Sequence, residues 1–302
     1  MKPDICIYHA NCNDGFAAAW VVWLKYENEV QYVPGFYEKS PPDVTGKHVI
    51  MVDFSYKHDV ILELAKTAKS ITIIDHHKSA LEDLKQFQIT EECSYKTIDD
   101  VLKQVDLYRD NVCAIFDMNH SGVILTWKFF FPDIPPPSVL NHVEDQDLAR
   151  FKLDHTKEIL AYICSFHYNF QDWLKLILSA DRNPDFKDKM IFEGRTLLRN
   201  KEKDIRSLLT FGTRKMVIGG YLVNIANAPK YMGSDVATIL SENELFAAAY
   251  VDSQTHRVFS LRSRGDKALD VSKIAESYGG GGHYNAAGFS VVFDDLVKLN
   301  LI

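Results

Sequence analysis

Ile71-Thr72-Ile73-Ile74-Asp75-His76-His77 is a run of four apolar or β-branched residues that ends in one carboxylate and two imidazoles. The apolar part has the length and composition of a short buried strand, and the polar trio marks its C-terminal end. Ligands and catalytic groups of open α/β sheets collect at that edge. Taken alone, the trio also reads as a helix cap followed by solvated histidines. Two other strands end in the same way: Asp4 to Tyr8 runs into His9, and His48 to Val52 runs into Asp53. His9, Asp53 and Asp75 are therefore expected at one edge of one sheet, a grouping that favours a site over three unrelated caps.

Outward from these strands the order is strand, helix, strand, helix. Phe16 to Leu24 is apolar all round, as a buried helix is. Gln31 to Val33 reads as a strand closed by Pro34-Gly35, and Asp59 to Lys69 has helical spacing. This rhythm predicts a parallel sheet with helices on both faces. Asn111 to Phe116 adds a strand and Gly122 to Phe131 a helix, while Glu82 to Arg109 reads as a helical excursion with a helix at Ile98 to Leu107. Val139 to Arg150 carries the acidic residues Glu144, Asp145 and Asp147, whose plainer reading is a solvated helix end. Two helices are expected between Lys157 and Ser179.

The pattern then changes. Met190 to Leu209 has the charge and periodicity of a bridging amphipathic helix. After it come a hairpin through Gly219-Gly220, a helix at Ser234 to Leu240, strands at Phe246 to Val251 and Val258 to Ser263, a helix at Val271 to Ser277 and a last strand at Phe289 to Phe293. The expected organisation is a first α/β domain over 1–184, a linker helix over 185–210 and a smaller α/β domain over 211–302, with the active-site cleft between the two domains.

Composition narrows the function. The chain has 302 residues, 46% of them hydrophobic, and a formal net charge of −7, which argues against a broad basic surface for long duplex DNA. Five scattered cysteines without a Cys-x-x-Cys pair exclude a zinc ribbon and fit a reducing compartment. No run approaches the ~20 apolar residues of a membrane span, and the N-terminus carries no signal-peptide pattern. A cytoplasmic protein with no membrane partner is expected. There is no phosphate-binding loop ending in Gly-Lys-Ser/Thr and no Gly-x-Ser-x-Gly elbow, so nucleotide-triphosphatase and serine-hydrolase readings fall away.

Carboxylates and imidazoles without paired thiolates are donors for Mn²⁺ or Mg²⁺ rather than for a closed zinc site. Several on adjacent strand ends suggest two ions about 4 Å apart that activate a water for in-line attack on phosphorus. In the second half, Gly279-Gly280-Gly281-Gly282-His283 costs backbone entropy and offers main-chain N–H groups to an anion. The alternative is a flexible linker. Arg262 and Arg264 add guanidinium forks suited to phosphate, unless they are ordinary surface arginines.

Asp75-His76-His77 resembles the signature of the DHH phosphoesterases. Phe259-Ser260-Leu261-Arg262-Ser263-Arg264, continued by Asp270-Val271-Ser272-Lys273-Ile274-Ala275 and by Gly279 to Gly288, resembles the DHHA1 domain that accompanies many of them. The resemblance covers nearly the whole chain, least securely at Glu82 to Arg109. It implies phosphoester hydrolysis with two Mn²⁺ ions, Mg²⁺ or another divalent ion being possible, in the first domain and substrate capture by the second. It implies that His9 binds the first metal, Asp14 the second and Asp53 both, that His76 completes the second, and that His77 faces the scissile phosphate. Asp75 then orients the histidines, and Asp147, with Asp145 in reserve, supplies a further ligand. Arg262, Ser263, Gly280, Gly281, Gly282 and His283 would hold the substrate. One departure stands out: Cys12 occupies the place of a metal-binding Asp, so Cys12 ligates as a thiolate, or Asn11 or water fills in, or one metal is lost.

The family likeness implies a phosphodiesterase or 3′-exonuclease on short RNA or DNA oligonucleotides. Alternatives are a nucleotide or polyphosphate phosphatase, a cyclic or linear dinucleotide phosphodiesterase and, outside catalysis, a nucleotide-binding sensor with a degenerate metal site. An oligonucleotide enzyme needs an aromatic face for a base, for which Tyr278 and Tyr284 are candidates when they are not core residues.

Overall fold

A computed structural model describes residues 2–37, 39–89, 111–265 and 267–301. The helix expected at Ile98 to Leu107 lies outside the described residues. Contacts divide the chain into Met1–Leu198 and Arg199–Ile302.

In the first unit, β1 (Ile5–His9), β2 (Gln31–Gly35), β3 (His48–Val52), β4 (Ser70–Asp75) and β5 (Val112–Phe116) form one sheet in the order β2-β1-β3-β4-β5. Every pairing is parallel. Successive side chains leave a strand on opposite faces, and both faces are covered, so each strand reads as a nearly continuous apolar run. Ile5, Ile7, Val49, Met51, Ile71 and Ile73 pack with α2 (His58–Ala65) and α3 (Lys78–Leu84) in one core. Cys6, Ile50, Val52, Ile74 and Cys113 belong to the other. That second core is closed by α1 (Asn13–Tyr26), α4 (Gly122–Phe130), α5 (Ser138–Asp147), α6 (Thr156–Ile163) and α7 (Phe170–Arg182).

Strand order reverses between β1 and β3, because β2 lies on the other side of β1. Such a switch point opens a crevice at the C-terminal ends of the strands. His9 ends β1, and Asp53 follows β3 directly. The polar ends of the first and third strands thus meet where the sheet has room for a ligand.

Helix α8 (Pro184–Gly212) is longer than the helix the periodicity predicts, with Pro184 at its first position, where no N–H bond is lost. Met190 joins the first unit's core, and Ile205 packs with Ala226, Val236 and Ala237 of the second. The second unit holds β6 (Thr213–Ile218), β7 (Tyr221–Asn227), β8 (Ala247–Asp252), β9 (His256–Arg262), β10 (Gly281–His283) and β11 (Ala286–Val292). They form a mixed sheet in the order β10-β11-β9-β8-β7-β6, with β7 and β8 parallel and the other pairs antiparallel. Gly219 and Gly220, at φ +58° and +84°, make the β6–β7 turn. Helices α9 (Lys230–Leu240), α10 (Val271–Glu276) and α11 (Phe293–Leu296) complete it. No described helix is long and apolar enough to cross a membrane.

The start of α1 is pressed against the end of β1. A Cβ at Gly15 would lie 2.4 Å from the His9 carbonyl oxygen and 2.7 Å from the His9 Cβ. Replacing glycine by alanine inside a helix ordinarily gains roughly 0.5–1 kcal/mol. Here the sign reverses: Gly15→Ala is expected to cost about 1–3 kcal/mol through overpacking, read as a lower urea midpoint with an unchanged m value.

Candidate metal centre

Five elements deliver the polar side chains. His9 comes from β1, Asp14 from the first turn of α1, Asp53 from the residue after β3, Asp75 from the end of β4 and Asp147 from the end of α5, while His76 and His77 lead into α3. Nε2 of His76 lies 3.2 Å from Asp53 Oδ1, 3.4 Å from Asp147 Oδ2 and 3.7 Å from Asp14 Oδ2. Nδ1 of His9 is 3.6 Å from Asp53 Oδ2, and Nδ1 of His77 is 4.0 Å from Asp53 Oδ1. Two groups of three therefore offer ligand atoms within 4.8 Å of one another: His9, Asp53 and His77, and Asp14, Asp53 and His76. Asp53 belongs to both.

Asp53 is 1% exposed, and neither of its carboxylate oxygens has a hydrogen-bond partner; Nδ1 of His9 is also buried without one. A buried carboxylate is tolerated when it is paired or coordinates a metal. The orphaned oxygens and the mixed oxygen and nitrogen donors fit divalent cations. The backbone of Asp53 is left-handed, at φ +53°, a conformation that aspartate accepts more readily than most residues. Its N–H holds to Ile74 O at 2.9 Å, so the bend is pinned to β4.

Asp14 is anchored differently. It accepts hydrogen bonds from the N–H groups of Gly122 at 2.6 Å and Val123 at 3.1 Å, the opening of α4. A helix N-terminus favours such a carboxylate. The approach needs Gly122, where a Cβ would sit 2.4 Å from Asp53 Cβ and 2.9 Å from Asp14 Oδ2. In the sequence, Ser121-Gly122 opening an apolar helix signals the helix start but not the role of Gly122 beside the carboxylates. Asp75 is fully buried and accepts from His76 N at 2.7 Å and Ser55 Oγ at 3.1 Å. Its Oδ1 is also 2.7 Å from His77 Nδ1, which fixes that ring.

The charges are strongly coupled. Burial opposes ionisation of Asp53, but the imidazoles of His76, His9 and His77 more than compensate and hold its carboxyl well below the usual range. Burial, then Asp53 and Asp147, push Asp14 well up. Burial and Asp53 raise Asp147 to about 6. Burial opposes charging of His77, but Asp75 and then Asp53 and Asp147 lift it to about 10. Burial and the surrounding carboxylates also raise the thiol of Cys12, which belongs to neither donor group.

Asp145 points elsewhere. It accepts from Lys152 N at 2.8 Å, Leu153 N at 3.2 Å and Thr156 Oγ1 at 2.6 Å, and so holds the loop before α6. Glu144 lies near the start of α4. Its Oε2 takes Ser121 N at 3.0 Å and contacts His120 Nδ1 at 3.1 Å, and its Oε1 takes Arg150 at 2.9 Å.

In the second unit, Arg262 donates to Ser234 Oγ at 2.9 and 3.1 Å and to Leu261 O at 2.7 Å. Ser263 is buried, donates to Leu269 O and accepts from Asn285. Gly281, Gly282 and His283 form β10 rather than an open loop, with His283 opposite Ala286, which is itself opposite Arg262. Two of the glycines have a packing reason: a Cβ at Gly280 would meet Gly288 O at 2.2 Å, and one at Gly282 would meet Ala286 O at 2.6 Å. Tyr278 stacks on Phe289 at 4.4 Å and belongs to the core, while Tyr284 is exposed.

No family model matches the chain. An uncharacterised protein of Acanthamoeba polyphaga mimivirus is 28% identical over 315 residues, covering 96% of this chain and 68% of that protein. Among solved structures, the DHH domain of a member of the s1p family of ribosomal proteins is similar with a TM-score of 0.57 at 16% identity, over 99% of this chain and 85% of that one. A pGpG-specific phosphodiesterase from Vibrio cholerae gives 0.48 at 13% identity, over 98% of this chain and 95% of that one. The chain has the DHH fold, a parallel five-stranded sheet covered by helices and a second unit on a mixed sheet.

Two outcomes follow from this geometry. Gly122→Ala forces Asp53 and Asp14 apart and is expected to weaken Mn²⁺ binding at least about tenfold, on the scale of a disturbed supporting contact, as read by calorimetry. Binding is also pH-dependent. The raised carboxyl of Asp147 keeps its proton below about pH 6, and a cation must displace it. Asp147 therefore makes affinity rise with pH up to that value, by about tenfold per unit for its one displaced proton, and the raised groups Asp14 and His76 add to the dependence. Calorimetry at pH 5 and 7 in buffers of different ionisation enthalpy checks both the slope and the released protons, and Asp147→Asn is expected to lower the slope by about one displaced proton.

Proposed function

We propose that this protein is a metal-dependent phosphoesterase that hydrolyses phosphodiester bonds of short oligonucleotides, as a 3′-exonuclease on very short RNA. Asp53 carries the assignment: one buried carboxylate, unsatisfied on both oxygens, is common to two donor groups. Two cations held there, Mn²⁺ in our reading, would polarise phosphoryl oxygens and acidify a water without any covalent nucleophile.

The residues of the chain divide the remaining work. Asp53 serves both donor groups, His9 completes one beside His77, Asp14 and His76 complete the other, and Asp147, outside both groups but 3.4 Å from His76, supplies a further ligand. His77, locked by Asp75, faces the scissile phosphate and can hold a proton toward a phosphoryl or leaving oxygen. In the second unit Arg262, Ser263, Gly280, Gly281, Gly282 and His283 would bind nucleotide phosphate, with main-chain N–H groups and a guanidinium matched to it. The net charge of −7 supports a small substrate over a long duplex.

The test is hydrolysis of a 5′-labelled RNA dinucleotide with Mn²⁺, Mg²⁺, Zn²⁺ or EDTA. Metal-dependent release of mononucleotide is expected. Asp53→Asn is expected to lower it by more than about a hundredfold, and Asp75→Asn by about 10- to 100-fold, the cost of an outer-shell partner. A folded, metal-loaded protein that binds nucleotide but cleaves nothing would instead favour the nucleotide-binding sensor suggested by Cys12.

A further inference from the structure

Tyr37 follows β2 by two residues and was not marked by any pattern in the sequence. Its ring centroid lies 4.9 Å from that of Phe54 and 5.7 Å, edge-on, from that of His9. Phe54 directly follows Asp53, is fully buried and stacks against His9 at 6.2 Å. Gly35 admits the Phe54 ring, because a Cβ there would lie 2.6 Å from it. The end of β2 is drawn in at the same point by the hydrogen bond from Ala10 N to Gly35 O at 3.1 Å. Phe54 is thus the floor of an aromatic layer beside the group His9, Asp53 and His77. His9 and Tyr37 both rest on that floor, and Tyr37 remains 53% exposed.

An exposed aromatic ring bordering a metal-ligating imidazole has little to offer inorganic phosphate or a bare sugar phosphate. It has much to offer a nucleobase attached to a phosphate held at that imidazole. Stacking on an aromatic side chain is strong and tolerant of base identity, because every base has a π-face. We propose that Tyr37 is a base-stacking residue that makes this centre selective for nucleotides over base-free phosphates. The inference rests on the reading above that the centre receives a nucleotide phosphate, and it names what lies beside that phosphate. The hydroxyl is not required; the ring is.

The test is calorimetric binding of AMP and of ribose 5-phosphate to the Mn²⁺-loaded protein, with dinucleotide hydrolysis measured in parallel. AMP is expected to bind about tenfold tighter than ribose 5-phosphate, as one stacked base provides. Tyr37→Ala should remove that preference while leaving ribose 5-phosphate and Mn²⁺ binding unchanged, and Tyr37→Phe and Tyr37→Trp should keep it. The proposal is overturned if neither ligand binds, if the wild type shows no preference, if the preference survives Tyr37→Ala, or if Tyr37→Phe abolishes it. Equal weakening of Mn²⁺ and of both ligands in Tyr37→Ala would show a buttress for His9 and overturn it as well. A Tyr37-dependent preference for AMP without dinucleotide hydrolysis would discard the phosphodiesterase reading and leave this inference standing.

Discussion

The carboxylate of Asp53 is the constraint on which the rest of the first unit turns. Taking an ionised carboxylate out of water costs several kcal/mol, and here no well-aligned hydrogen bond to its oxygens offsets it. What keeps it charged is the company of three imidazoles, from His76, His9 and His77. Those imidazoles arrive from β1 and from the end of β4, strands that flank β3 in the sheet. Only a parallel arrangement brings the C-terminal ends of three adjacent strands together. The left-handed backbone at Asp53 then turns the carboxylate into the crevice, at a strain of order 1–3 kcal/mol that the surrounding hydrogen bonds must hold.

Asp14 and Asp147 make the same cluster acidic beyond what its imidazoles balance. Asp14 has two N–H donors from α4, yet burial and its neighbours still raise its carboxyl. Asp147 is raised too. Without a cation the cluster keeps Asp53 ionised, while burial and the neighbouring carboxylates oppose ionisation of Asp14 and Asp147. A divalent ion would relieve that conflict by letting all three ionise, which is why the arrangement makes more sense as a coordination sphere than as a folding device.

Much of this was legible in the chain, because strands buried on both faces read as uninterrupted apolar runs whose polar ends are conspicuous. His9, Asp53 and Asp75 were visible for that reason. Residues whose role depends on packing were not. Gly122 acts on Asp14 across more than half of the first unit's sequence and on Asp53 across about a third of it, and Gly35 acts on Phe54; the local sequence shows at most where a helix opens, not what each glycine meets. The glycine run was visible but its meaning was incomplete: Gly280 and Gly282 are demanded by close pairing with β11, a tertiary contact that composition does not encode. The sequence leaves Asp145 and Asp147 as alternatives; in the fold Asp147 Oδ2 lies 3.4 Å from His76 Nε2, while Asp145 takes Thr156 Oγ1. Two residues apart on a helix point to nearly opposite sides, so one of them had to turn away, and Asp145 is consumed by the loop before α6.

The same helical geometry links the centre's supports. Glu144 and Asp147 are three residues apart on α5 and therefore share a face. Asp147 reaches His76, while Glu144 takes the N–H of Ser121, immediately before the two N–H groups that hold Asp14. One helix thus presents one carboxylate to the centre and with another pins the turn that anchors a second ligand. Arg150 offsets the charge of Glu144, so that pin costs little electrostatically. A displacement of α5 would disturb Asp147 and Asp14 together. Asp53 and His76 of the second donor group also come from strand ends, but its third member, Asp14, depends on α1 and α4, with Asp147 of α5 beside His76, whereas the group of His9, Asp53 and His77 is built on strand ends alone, beside the aromatic layer of Phe54 and Tyr37.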